Sequence, residues 1–141
     1  MHYFRLLIVL SAAAASVSAH ATIPSRNVGS YRSVTGSWGG NHVSLTFGPS
    51  GATAEYDCGT GEITGPLRTN RAGQFFATGY HAPGMGGPVR MGNVPPRFPA
   101  SYSGRVKGDS MTLVVRIPST GVQLGPLKLR RNGKPSIVRC Y

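Results

Sequence analysis

From about residue 41 onward the chain alternates apolar and polar residues with a period of two, and no stretch of that part sustains a helical period. Gly and Pro punctuate the alternation, the pattern of short antiparallel strands joined by tight turns. Val43, Leu45 and Phe47 alternate, Gly48-Pro49-Ser50-Gly51 turns the chain, and Ala52, Ala54, Tyr56 and Cys58 alternate on the return. Pairing Phe47 with Ala52 puts both sets on one face. A turn at Gly59-Thr60 then pairs Cys58 with Gly61, Tyr56 with Ile63 and Ala52 with Leu67, and sets Asp57 opposite Glu62 on the outer face. Further on, Gly108-Asp109 is a two-residue turn suited to right-twisted strands. It pairs Val106 with Met111, Gly104 with Leu113 and Tyr102 with Val115.

Extended to the whole chain, the pattern predicts strands near 41–47, 52–58, 61–68, 74–80, 100–107, 110–117, 122–131 and 136–141. The expected fold is therefore all-β: a small eight-stranded antiparallel up-and-down barrel, or a two-sheet sandwich, with one disulfide. Pro66 and Pro126 mark edges or bulges, because proline cannot donate to a ladder. The small residues Ala52, Ala54, Gly65, Ala77, Gly79 and Gly104 face the predicted interior. They either line a cavity or leave room for Trp38, Tyr56, Phe75 and Tyr102 to fill it, and the short chain favours filling.

The first forty residues divide differently. His2 and Arg5, the apolar run Leu6 to Leu10 and the small residues Ser11 to Ala19 follow the order of a secretory signal peptide. Residues 1–19 are read as that leader, cut after Ala19 or Ala21, then an extended segment over 20–35 and a single β-domain over 36–141. The apolar run falls far short of the ~20 residues that span a bilayer, so no transmembrane segment is expected. The expected location is secreted or periplasmic. In an oxidising compartment Cys58 and Cys140, the only cysteines, read as one disulfide. It closes a long loop, worth a nominal ~4–5 kcal/mol in the chain-entropy view. In a closed barrel these cysteines flank the first strand, two strands being ~9.6 Å apart against the ~7 Å a disulfide allows. That strand must lapse or bulge there, and Gly39-Gly40 suits either.

Charge narrows the partners. The chain carries +11, and +10 once Arg5 leaves with the leader. Most of the basic residues are arginines, whose planar fork grips phosphate and carboxylate. The expected partner is an anionic polymer, an envelope component or an acidic protein. The segment from His81 to Pro99 holds five prolines and four glycines without a strand pattern, and long ordered loops often shape binding sites. Phe76, Tyr80, His81, Arg90 and Arg97 are the candidate binding residues, with Phe76 and Tyr80 facing outward if Phe75, Ala77 and Gly79 face inward.

Catalysis has less support. Glu55, Asp57 and Glu62 share the outer face, and carboxylate pairs run glycoside hydrolysis only within a cleft. There is no Gly-x-Ser-x-Gly elbow. An N-terminal His20, with His42, His81, Met85 and Met91, contains donor types suited to copper but shows no ligand spacing. The sequence leaves metal binding open, and no cofactor is expected.

Gly36-Ser37-Trp38 resembles the Gly-x-Trp opening of lipocalins and related calycin barrels, and avidin-like barrels are comparably short. The chain also resembles small exported bacterial β-proteins. The calycin resemblance implies that Trp38 plugs one end of an eight-stranded barrel under an arginine from the last strand, here Arg130, Arg131 or Arg139. It also implies an interior that carries a small ligand. The expected function is thus non-catalytic binding of an anionic envelope or extracellular component or an acidic protein. The alternatives are a small-ligand carrier and, less favoured, a copper-binding protein or a small hydrolase.

Overall fold

The structure is a computed structural model, and it describes residues 31–85, 87 and 91–140. The leader, both proposed cut sites, His20 and Arg90 lie outside the described residues. The described chain contains only strands: β1 (Arg32–Ser33), β2 (Gly36–Gly40), β3 (Val43–Gly48), β4 (Gly51–Tyr56), β5 (Gly59–Thr64), β6 (Arg68–Thr69), β7 (Gln74–Pro83), β8 (Phe98–Lys107), β9 (Ser110–Ile117) and β10 (Val122–Arg131). Eight of them close an antiparallel barrel in the order β2-β3-β4-β5-β7-β8-β9-β10, with β10 returning to β2. Strands β1 and β6 form a separate two-stranded sheet beside it.

The barrel is the predicted one with three strands changed, and of these the expected strand 61–68 ends at Thr64, its Arg68 pairing with Ser33 in the small sheet. Gly36–Gly40, expected only to precede the first strand, is a full barrel strand. Residues 136–141, expected as the eighth strand, contribute a single parallel bridge between Ser136 and Asn41. Closure explains the exchange. Strand β10 pairs with β2 through Leu129–Gly40 and Arg131–Trp38, so no ladder position remains for a further strand. The chain instead reverses at Asn132-Gly133 and passes over Gly39 as a strap. A side chain on Gly39 would collide with the Gly133 carbonyl, which is why glycine stands there. Strand β2 therefore does not lapse; the strap crosses outside it to reach Cys58.

Two of the three predicted hairpin registers are present. Phe47 pairs with Ala52, Val106 with Met111 and Tyr102 with Val115, as the alternation predicts. The second hairpin is displaced by two residues: Tyr56 pairs with Gly59 and Ala52 with Ile63, so the turn is Asp57-Cys58. The strap holds that turn in place. The Val138 amide donates to Asp57 Oδ1 at 2.7 Å, the Cys58 amide donates to Val138 O, and the Cys58–Cys140 disulfide closes the contact with Cα atoms 4.9 Å apart. Parity survives the shift, so Ala52, Ala54, Tyr56 and Ile63 still share the inward face. Asp57 and Glu62 are not opposite each other; Glu62 faces Thr53. Gly65 lies in the turn after β5 with φ +79° and open space around it, not in the interior.

The interior is filled. Trp38, Leu45, Ile63, Tyr102, Met111, Leu113, Val115 and Ile117 are almost wholly buried, and Tyr56, Phe75 and Leu129 pack with them. Burying such side chains stabilises by about 1.5–3 kcal/mol each before chain entropy is counted. Gly61 makes room at the centre, since a Cβ there would occupy the space of the Tyr56 and Tyr102 hydroxyls. Up-and-down winding places the turns after β2, β4, β7 and β9 at one end, here the strap end. The turns after β3, β5 and β8 lie at the other.

Candidate functional site

Strand β7 carries the predicted aromatic pair outward. Phe76 is 70% exposed and Tyr80 42% exposed, while Phe75 and Gly79 are buried. Arg97 joins Tyr80: its guanidinium carbon lies 4.5 Å from the ring centroid, and its Nη2 donates to Glu62 Oε2 at 2.6 Å. His81 takes the other side of the strand. Its ring centroid is 5.8 Å from that of Tyr56, its Nδ1 is buried without a partner among the described residues, and burial lowers its pKa. The structure thus brings Tyr80 and Arg97 together, leaves Phe76 on the same outer row, and separates His81. The β7 and β8 ladders also run on to Pro83 and Phe98, leaving a connection shorter than the expected 81–99.

Three of the four carboxylates, Asp57, Glu62 and Asp109, have basic partners, and Glu55 and Glu62 line one groove of the outer face together. Asp57 is held by the Val138 amide and by His42, whose Nδ1 lies 2.5 Å from Asp57 Oδ2. The amide bond chiefly, then His42, holds its pKa below the usual carboxylate value. Glu62 is taken by Arg97, and Glu55 is exposed on the outer face. Among the described residues, no three His, Cys, Asp or Glu side chains gather as a metal site. Buried Tyr56 and Tyr102 both have raised pKa values, first from desolvation, and Tyr102 donates to Tyr80 O at 2.6 Å.

The largest concentration of charge lies elsewhere, at the end away from the strap. There the β1–β6 sheet, the Asn70–Gly73 turn, the end of β8 and the end of β10 enclose an open cleft of about 800 Å³. Arg32, Arg71, Arg105, Lys107 and Arg131 line it, and no carboxylate does. Two of these positions are locally fixed. Asn70 accepts the amides of Ala72 and Gln74, and Val106 donates to Gly73 O at 2.8 Å, which docks the turn bearing Arg71 against β8. Arg131 is already employed: it stacks 4.4 Å from the Trp38 centroid, donates to Asp109 at 3.1 Å and reaches Thr35 O. Among the described residues, Arg32, Arg71, Arg105 and Lys107 have no carboxylate partner. These four can offer their donors to an anion.

Sequence reasoning missed this cleft because its residues come from four separated segments. The available signal was turn parity, since Arg71 and Lys107 flank turns that up-and-down winding must place at the same end. Other grooves flank Tyr80 on the outer face, and one of about 490 Å³ lies beside the disulfide. No protein-family model, curated protein or solved structure matches the chain.

Proposed function

We propose that this chain is an exported, non-catalytic binding protein that takes an anionic polymer of the cell envelope or extracellular space into its basic cleft. The observation that carries the reading is a cleft lined by five basic side chains and no carboxylate in a chain of net charge +11. Opposing charges of this density raise association rates and release counterions from a polyanion. Export rests on the leader-like residues 1–19 and agrees with the disulfide. The secreted or periplasmic location stands with it. An acidic protein is a less favoured partner, because a cleft walled by separate arginines suits a flexible chain better than a folded surface.

The interior supports a carrier less well, since Trp38, Tyr56 and Tyr102 occupy it. The Trp38–Arg131 stack supports the calycin resemblance as a proposal about architecture, and it carries no ligand with it.

The test is fluorescence polarisation of a labelled heparin fragment and of polyphosphate over a salt series. The slope of log affinity against log salt should fall by roughly one for each of Arg32→Ala, Arg71→Ala and Arg105→Ala. A triple variant that binds like the parent, beside an Arg90→Ala/Arg97→Ala variant that does not, would move the site to the long loop. Polyanions that fail to bind the parent at all would end the proposal.

A further inference from the structure

The outer face of β5, β7 and β8 differs in chemistry from the rest of this basic molecule. Along β7 the residues Phe76, Thr78 and Tyr80 point outward in one row. Their neighbours across the ladders are Ser103 beside Phe76, Ser101 beside Thr78, and Glu62 and Pro99 on either side of Tyr80. Two surface grooves, of about 350 and 450 Å³, meet at the Tyr80 ring. The charged lining of the first is Glu55, Glu62 and Arg97, two carboxylates against one guanidinium, and the second has no charged lining. This face is therefore less basic than the cleft: Glu55 and Glu62 stand beside Arg97, and the next basic residue is Arg116, opposite Ser101 at the β9 edge.

What it does offer is a pair of exposed aromatic rings about 13 Å apart, taking ~3.3 Å per residue along a strand, with hydroxyls between them. Isolated exposed apolar residues are ordinary, but two aromatics aligned on one strand of a hydroxyl-bearing face are a platform. The Glu62–Arg97 pair fixes an acceptor and a donor at one end of the row, and stacking on Tyr80 holds the guanidinium plane. A ligand suited to this face has flat apolar faces for the rings, equatorial hydroxyls for Thr78, Ser101, Glu62 and Arg97, an extended form and no net charge. We infer that the β5-β7-β8 face binds a neutral, extended β-linked oligosaccharide along the Phe76–Tyr80 row. This site is separate from the basic cleft and does not depend on the reading given for it.

Isothermal titration with cellohexaose and with chitohexaose tests the inference. The full exported chain should bind at least one of them, with an affinity that persists in 0.5 M salt, on the order of the opposite behaviour to a polyanion. Phe76→Ala and Tyr80→Ala should each weaken binding roughly tenfold, and Thr78→Arg should block the row. Arg105→Ala, in the cleft, should leave it unchanged. Phe76 and Thr78 are exposed, so these variants keep the fold, which circular dichroism verifies. The inference is overturned if neither hexasaccharide binds at millimolar concentration, or if both aromatic variants bind like the parent. In either case the polyanion titration keeps its own outcome.

Discussion

Tyr102 donates its hydroxyl to the Tyr80 carbonyl at 2.6 Å, whereas the Tyr56 hydroxyl beside it is buried with no hydrogen-bond partner among the described residues. Removing a satisfied buried hydroxyl costs about 1 kcal/mol, and removing an unsatisfied one relieves a desolvation penalty. Tyr102→Phe should therefore lower urea-unfolding stability by about 1 kcal/mol, and Tyr56→Phe should leave it unchanged or raise it. His81 is governed by the same burial. Its folded pKa lies below the unfolded value of about 6.5, so the unfolded chain binds the proton first. Its contribution to stability is full above that pH and declines as pH falls toward the folded pKa. A proton NMR titration should place the His81 midpoint below 6.5, and a midpoint at or above it would contradict the burial. That His81 faces inward was implicit in the alternation through Phe75, Ala77 and Gly79. Its missing partner was not, because hydrogen bonding across a barrel depends on which strands meet.

At the scale of elements, the strap from Gly133 to Cys140 is the part least like a barrel strand. It is held by the disulfide, by Ser136 donating to Gly40 O, by His42 donating to Ser136 O, and by the Asp57–Val138 bond. In a Cys58→Ser/Cys140→Ser variant, the amides of Ser136 and Val138 should lose hydrogen-exchange protection while those of β7 and β8 keep it. Equal loss throughout would mean that the barrel needs the strap to close. Because the Asp57 pKa is depressed, its support is present above the ordinary carboxylate value and disappears as pH falls through the folded one. Strap protection should accordingly fail in acid before that of the barrel. The alternation of residues 136–140 resembles a strand, and only the closure of β10 on β2 turns the segment into a strap.

Across the whole molecule, charge is divided between regions. Arg32, Arg71, Arg105 and Lys107 surround the cleft at one end, where the carboxylate of Asp109 is taken by Arg131, while Asp57 sits at the strap end and Glu55 and Glu62 on the outer wall of β4 and β5. A bound polyanion should therefore slow amide exchange in the Asn70–Gly73 turn and the β8–β9 hairpin and leave the strap unaffected. Exchange mapped with and without heparin checks this, and protection confined to the strap end would place the site elsewhere.

The sequence by itself determined the strand periods, the inward set apart from Gly65, two of the three hairpin registers and the pairing of the cysteines. Those properties follow from local alternation, turn chemistry and the scarcity of alternatives. The Asp57-Cys58 turn, the role of Gly36–Gly40 and the gathering of the basic residues were decided by tertiary structure. Each depends on barrel closure, which joins β10 to β2, expels the last residues as a strap, and brings distant arginines to one end. Local pattern carries no record of which ends meet.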